Sequence, residues 1–85
     1  MNIYVFSYMM SDQREKIKAL VSLHIEYWNS QEFEYYKGGP YSDRSGGLII
    51  FSSANIKEAE SVISNDPFVT GDVLDNFIIK EWMPE

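Results

Sequence analysis

Three segments of this 85-residue chain carry apolar side chains on both faces of an extended strand. Apolar residues stand at odd and at even positions from Asn2 to Met9, from Gly47 to Ser52 and from Asn76 to Trp82. An antiparallel sheet with one face in water should instead alternate apolar with polar residues. The sequence therefore predicts a sheet that is covered on both faces, although a chain of this length buries only about 60–65% of its unfolded surface.

A first amphipathic helix follows the first strand. Asp12 is expected to cap its N-terminus, with Glu15 at the third helical position as in a capping box. One face of the helix carries four apolar residues and the only histidine of the chain, at Ile17, Leu20, Val21, His24 and Trp28. The spacing thus places the histidine among apolar positions and away from the solvated side.

A second amphipathic helix follows the third strand. Asn55 is expected to cap it, with Glu58 at the third position. Its predicted buried residues are Ile56, Ala59, Val62 and Ile63. The helix should end at Asn65-Asp66-Pro67, because proline disfavours the α conformation of the residue before it. Residues 68–70 are expected to form one further turn before Gly71.

Between the first helix and the third strand, Glu32–Lys37 is interpreted as a short second strand that stops at Gly38-Gly39-Pro40. A polar loop from Tyr41 to Gly46 follows. The resulting order, β-α-β-β-α-β, is the ferredoxin-like arrangement of the α+β class. We expect one domain over residues 1–85, with both helices on one face of a four-stranded antiparallel sheet. The simplest cover for the opposite face is the same face of a second copy, which predicts a homodimer.

Composition excludes several classes of protein. The net charge is −6 and the seven basic residues are scattered, so nucleic acid is not an expected partner. With no cysteine and one histidine, neither a disulfide framework nor a metal centre is expected, and no cofactor is predicted. The N-terminal segment lacks the features of a signal peptide, and its apolar run is too short to span a membrane. These observations predict a cytoplasmic protein.

Several short motifs occur in a fixed order along nearly the whole chain. They are Leu23-His24-Ile25 in the first helix, the turn Gly38-Gly39-Pro40, the strand Gly46-Gly47-Leu48-Ile49-Ile50-Phe51, Ala59 in the second helix, Asn65-Asp66-Pro67-Phe68-Val69, and Gly71 before the last strand. In this combination they resemble the YciI-like family of dimeric α+β barrel proteins. The resemblance implies the fold and dimer predicted above. Members commonly carry an arginine one turn before the histidine, where this sequence has Val21. The resemblance therefore implies no cationic contact with an anionic substrate at this position.

The resemblance also implies a pocket that His24 and Asp66 share, between the first helix, the Asp-Pro segment and the sheet. An imidazole can take and give a proton near neutral pH, and a carboxylate can orient the ring and stabilise its charged form. Both residues have a structural alternative. His24 could be a core or interface histidine with both nitrogens satisfied, and Asp66 could be only the N-cap of the turn that Pro67 opens.

Two tyrosines flank the Gly-Gly-Pro turn and are candidates for lining the mouth of such a pocket. The expected substrate-binding residues are Tyr36, Gly39, Pro40 and Tyr41. The function we expect is an enzyme that uses a His–Asp pair for acid–base chemistry of the lyase or isomerase type on a small cyclic or aromatic metabolite. The alternative is a non-catalytic dimeric module that binds a ligand or regulates a partner.

Overall fold

A computed structural model describes all residues from 1 to 85. Its elements are β1 (Asn2–Met10), α1 (Arg14–Asn29), β2 (Tyr36–Pro40), β3 (Gly46–Ser53), α2 (Ile56–Ser64), α3 (Pro67–Thr70) and β4 (Leu74–Trp82). All strand pairs are antiparallel, and the four strands lie in the order β2-β3-β1-β4. This arrangement confirms the predicted ferredoxin-like α+β fold, with α3 as the short turn expected before the last strand.

The core lies between the helices and one face of the sheet. In β1 the even-numbered residues Tyr4, Phe6 and Tyr8 face the helices, because side chains alternate along a strand. The register of β1 with β3 places Phe6 opposite Ile49, and both are nearly inaccessible to solvent. Trp28 of α1 stacks on Phe6 with ring centroids 6.1 Å apart. Burial of one such side chain stabilises the fold by roughly 1.5–3 kcal/mol.

The opposite face of the sheet is apolar as well, as its sequence pattern predicts. On β4, Ile78 and Trp82 are 52% and 46% exposed. Their neighbours Val5 and Ile50 on the central strands are only partly buried. The chain itself therefore leaves this face without a complete cover. We call it the open face.

The second strand differs from its prediction. β2 covers Tyr36–Pro40 and not Glu32–Lys37, and it includes the glycines and the proline that were expected to end it. β2 pairs only with β3, so the missing N–H of Pro40 is tolerated on this edge strand. Gly38 is needed here because a Cβ atom at this position would lie 2.9 Å from Cγ1 of Ile49. The breaker motif is thus part of the edge strand, and Gly38 is the residue in it that packs closely against β3.

The start of α1 also differs from its prediction. The N-cap residue is Gln13 and not Asp12, and no side chain caps the helix. The Nε2 atom of Gln13 donates a hydrogen bond to the carbonyl oxygen of Asp72 at 2.9 Å. The helix start is therefore anchored by a long-range contact to the turn before β4. A capping box formed by Asp12 and Glu15 is absent.

The start of α2 follows its prediction, because Oδ1 of Asn55 accepts a hydrogen bond from the backbone N–H of Glu58 at 2.9 Å. Ala59 and Ile63 are buried as expected. The prediction that Ile56 is buried is wrong: it is 43% exposed, because it is the first residue of the helix, a turn before Ala59, which packs in the core. None of the helices has the length and apolar composition needed to cross a membrane.

Candidate functional site

The fold brings His24 and Asp66 into direct contact across 42 residues of sequence. Nδ1 of His24 lies 2.8 Å from Oδ1 and 3.0 Å from Oδ2 of Asp66. No other basic and acidic side chains of the chain lie within ion-pair distance of each other. His24 is 8% exposed and Asp66 is 0% exposed. A carboxylate only accepts hydrogen bonds, so Nδ1 of His24 carries the hydrogen. In the neutral ring the lone pair is therefore on Nε2.

Asp66 accepts two further hydrogen bonds. The indole Nε1 of Trp28 donates to Oδ2 at 2.9 Å, and the backbone N–H of Phe68 donates to Oδ1 at 2.9 Å. The second bond makes Asp66 the N-cap of α3, with Pro67 at the first helical position. Asp66 is thus both the N-cap of α3 and the hydrogen-bond partner of His24.

The imidazole of His24 is fixed on its faces by aromatic rings. It stacks on Phe68 with ring centroids 3.9 Å apart and planes inclined by 11°. Tyr8 meets it edge to face at 5.8 Å. Nε2 of His24 has no hydrogen-bond partner in the chain. Every buried side-chain nitrogen and oxygen does have a partner, so Nε2 is not buried. Nε2 must therefore reach the cavity that His24 lines.

This cavity has a volume of about 1070 Å³ and lies between α1, the end of β1, α3 and the hairpin of β2 and β3. Tyr36, Gly39 and Pro40, three of the predicted binding residues, line it. The fourth, Tyr41, lies outside it: its hydroxyl pairs with Oγ of Ser7 at 2.9 Å, on the open face. Ser7 points away from the helices and hence away from the cavity. Tyr41, which pairs with Ser7, is therefore not a candidate residue for binding in this cavity.

Two phenolic hydroxyls, those of Tyr8 and Tyr36, have no hydrogen-bond partner in the chain and belong to residues that line this cavity. Burial, and next the carboxylate of Asp66, raises the pKa of Tyr8 far above its ordinary value. The same two causes raise the pKa of Tyr36. Both hydroxyls therefore keep their hydrogen at neutral pH and remain donors.

The sequence predicts neither Trp28 nor Tyr8 as a residue of the site. For Trp28 a signal exists, because it follows His24 by four residues on the same helix face. For Tyr8 no local pattern distinguishes it from the other aromatic residues of β1. Its position beside His24 depends on the packing of α1 over the sheet.

The cavity also carries a basic rim, which we define as Arg14, Lys18 and Arg44. None of these cations forms an ion pair with an acidic side chain. Two acidic residues share the rim, and one of them, Asp43, accepts hydrogen bonds from Ser45, which lower its pKa. Val21, which replaces the family's common arginine, is 39% exposed and lines the same cavity. Positive charge thus lies around the cavity, although not at the position of Val21.

No group of three or more histidine, cysteine, aspartate or glutamate side chains could hold a metal ion. The chemistry that these residues can perform is proton transfer at Nε2 of His24 and hydrogen bonding from the two tyrosines. The imidazole can accept a proton there while Asp66 stabilises the charge that the ring acquires.

Residues 1–83 match the model of the YCII-related domain family. No curated protein matches the chain in sequence. Among solved structures the chain is similar to 5-chloro-2-hydroxyhydroquinone dehydrochlorinase (TftG) from Burkholderia phenoliruptrix AC1100, in complex with 2,5-dihydroxybenzoquinone. The TM-score is 0.80 at 17% identity, with 95% of this chain and 93% of that chain covered.

The chain is also similar to Rv0793 from Mycobacterium tuberculosis, with a TM-score of 0.60 and 13% identity. This likeness covers 100% of the present chain and 96% of that protein. At such identities the two structures show a shared fold and nothing of the chemistry. The family match, in contrast, confirms the resemblance inferred from the sequence motifs.

Proposed function

Because the chain belongs to the YCII-related family, we propose that it is an enzyme that uses His24 and Asp66 for acid–base catalysis on a small cyclic or aromatic metabolite. One observation carries this proposal. Asp66 holds Nδ1 of His24 at 2.8 Å, and the opposite ring nitrogen is free beside a cavity large enough for such a ligand.

The proposed role of His24 is to take a proton from the substrate at Nε2 and to return one later. Asp66 keeps the ring in one tautomer and orientation and stabilises the imidazolium that forms. Phe68 also supports this orientation, because its ring stacks on the imidazole with centroids 3.9 Å apart and so blocks rotation of the imidazole. A lyase or isomerase step requires only such proton transfers, which one imidazole can supply.

The proposed substrate class is supported by the aliphatic and aromatic side chains among the residues that line the cavity and by its tyrosine hydroxyls. These groups suit a flat ring that carries oxygen substituents. TftG, which shares the fold, is a dehydrochlorinase of a chlorinated hydroxyhydroquinone and is described with a dihydroxybenzoquinone bound. Both compounds are therefore suitable probes for this chain.

The test measures chloride release from 5-chloro-2-hydroxyhydroquinone and binding of 2,5-dihydroxybenzoquinone by calorimetry. We expect His24→Gln to lower turnover by about 100-fold or more, since general acid–base catalysis contributes roughly that factor. Asp66→Asn should also lower it, because the amide cannot accept from all three donors. As a matched control, Asp75→Asn changes an exposed aspartate on β4 and should leave turnover unchanged.

Two results would contradict the proposal. Turnover that survives His24→Gln would remove the histidine from the chemistry. Binding of the probe without any turnover by the unmodified protein would instead favour the alternative, a ligand-binding module on the same fold. Circular dichroism of each variant shows whether a lost activity reflects a lost fold.

A homodimer through the open face is the second part of the proposal. It is supported by large apolar side chains that remain exposed on a sheet, including Ile78 and Trp82. Exposed apolar patches of this kind mark interaction sites, and an identical face is self-complementary about a two-fold axis. In this arrangement the cavity stays on the helix side, away from the contact between the two sheets.

A further inference from the structure

We propose that Tyr8 is a second catalytic residue, whose hydroxyl donates a hydrogen bond to the ring oxygen of the substrate on which negative charge develops as His24 takes the proton. The inference rests on the proposed function and sharpens its substrate class. The substrate would be a cyclic compound in which a carbonyl oxygen stands next to the carbon that loses its proton.

The position of Tyr8 is the first argument. Tyr8 stands near the end of β1. Its ring packs edge to face against both rings of the stacked pair, with centroid distances of 5.8 Å to His24 and 5.9 Å to Phe68. All three residues line the same cavity. A substrate within reach of Nε2 of His24 is therefore beside the ring of Tyr8 as well.

The surroundings of the Tyr8 hydroxyl are the second argument. The hydroxyl lies over Gly47, where any Cβ atom would overlap it. The adjacent Gly46 and the facing Gly39 belong to the wall of the cavity. A side chain only 3% exposed would normally pair its hydroxyl with a protein acceptor, yet this one has none. The unused donor thus faces the cavity.

The charge balance is the third argument. Burial of the ring, and next the carboxylate of Asp66, keeps the phenol of Tyr8 protonated, so it can donate but does not compete with His24 as a base. The three cations of the basic rim outnumber the two acidic residues beside them and form no ion pair within the chain, which favours a ligand that carries negative charge. Donors placed where charge develops stabilise a transition state more than the ground state.

The proposed step acts on the diketo tautomer of the hydroxyhydroquinone ring, in which the carbon that carries chlorine and the carbon beside it are both saturated. From this tautomer the step balances without a further reactant. Nε2 of His24 takes the proton from the carbon next to the carbonyl, the C–H electron pair forms a C=C bond, and the carbonyl π pair moves to the oxygen that Tyr8 holds. In an elimination, the oxygen electrons re-form the carbonyl and chloride leaves the neighbouring carbon, while the imidazolium releases its proton to water. In an isomerisation, the imidazolium gives the proton to a different carbon.

The deciding comparison is Tyr8→Phe against Tyr4→Phe. Tyr4 is a similarly buried tyrosine of the same strand and face, but it does not line the cavity. With 5-chloro-2-hydroxyhydroquinone we expect Tyr8→Phe to lower kcat by about 100-fold or more, as removal of one such donor does in other enzymes. KM should change far less. Tyr4→Phe should keep the unmodified kcat.

A second measurement uses the unmodified chain and does not depend on the stability of a variant. In a protein labelled at the tyrosine Cζ carbons, addition of 2,5-dihydroxybenzoquinone should shift the resonance of Tyr8 and leave that of Tyr4 in place. A Tyr8 resonance that does not move while the probe binds would overturn the inference.

The failures of the two proposals are distinguishable. If His24→Gln abolishes turnover and Tyr8→Phe does not change it, the role of Tyr8 is wrong and the proposed function stands. If Tyr8→Phe lowers kcat and Tyr4→Phe lowers it equally, the effect is structural and the inference is also wrong. If the unmodified protein neither binds nor converts either probe, both proposals fail together.

Discussion

The indole of Trp28 donates a hydrogen bond to Oδ2 of Asp66 at 2.9 Å, one helical turn after His24 donates to the same carboxylate. Both donors come from one face of α1, because residues four apart in a helix lie above one another. Asp66 supplies the short α3 with its cap at the same time. One buried carboxylate therefore joins α1 to α3 and sets the orientation of the imidazole.

Loss of the indole donor should destabilise the fold. Trp28→Phe leaves the carboxylate of Asp66 short of one partner in a buried site, which we expect to lower the free energy of unfolding by about 1–3 kcal/mol beyond the loss of packing. A double-mutant cycle with Asp66→Asn, measured by urea denaturation, isolates the coupling. The control cycle of Trp28→Phe with Asp75→Asn should be additive within about 0.5 kcal/mol. A similarly small coupling with Asp66→Asn would contradict this account.

The two glycines Gly47 and Gly39 should respond in opposite ways to alanine. A Cβ atom at Gly47 would overlap the Tyr8 hydroxyl and lie 2.8 Å from the carbonyl oxygen of Gly39. At Gly39 it would meet nothing within 4 Å. We expect Gly47→Ala to lower the free energy of unfolding by about 1–3 kcal/mol, the usual cost of overpacking, while Gly39→Ala changes it little. Equal melting temperatures for the two variants would show that Tyr8 does not need this space.

The open face should mediate dimerisation. Ile78→Lys places a charge in the proposed contact between sheets and should convert the protein to a monomer in sedimentation equilibrium at micromolar concentration. Leu23→Lys is the matched control, since Leu23 on α1 is 52% exposed, as Ile78 is, but does not belong to the sheet. Its mass in solution should equal that of the unmodified dimer. A monomeric unmodified protein would disprove the dimer.

The raised pKa of Tyr8 predicts a loss of stability at alkaline pH. Burial first, and then Asp66, keeps the phenol protonated in the folded chain, whereas the unfolded chain releases the proton above the ordinary pKa of about 10. The stability from this difference is fully present below that pH. It falls as the pH rises towards the folded pKa, by about 1.4 kcal/mol per pH unit for one group.

Tyr8→Phe removes this contribution, whereas Tyr27 and Tyr36, whose pKa values are also raised, remain in both proteins. Between about pH 9 and pH 11 its free energy of unfolding should therefore fall by about 1.4 kcal/mol less than that of the unmodified protein, in urea titrations at each pH. Below about pH 9 the two curves should run parallel, which serves as the internal control. Parallel curves at higher pH would show that Tyr8 titrates alike in the folded and unfolded chains.

Local patterns predicted most of the fold correctly. The helical spacing of α1 places His24 and Trp28 on the buried side, and the structure buries both. Asn55 caps α2 because its side chain reaches a backbone N–H only three residues away. Features of this kind depend on residues close together in the chain, so their spacing in the sequence is sufficient to predict them.

Predictions failed where a distant residue decides the outcome. β2 includes Gly38 and Pro40 because its place at the sheet edge and its packing against Ile49 favour them there. The start of α1 is held by the carbonyl of Asp72 and not by Asp12. Tyr41 follows the edge strand to the open face, where Ser7 pairs with it. Spacing along the chain contains no information on these partners.

The sequence by itself determined the order of the strands and helices, the two apolar faces of the sheet and the burial of His24, since each follows from a period of two or of 3.6 residues. Only the tertiary structure decided that Asp66 and Trp28 meet at one carboxylate and that Tyr8 stands beside the imidazole. These contacts depend on the strand register and on how α1 and α3 pack together over the sheet. The chemistry of the site therefore arises from packing between segments that are remote in the chain.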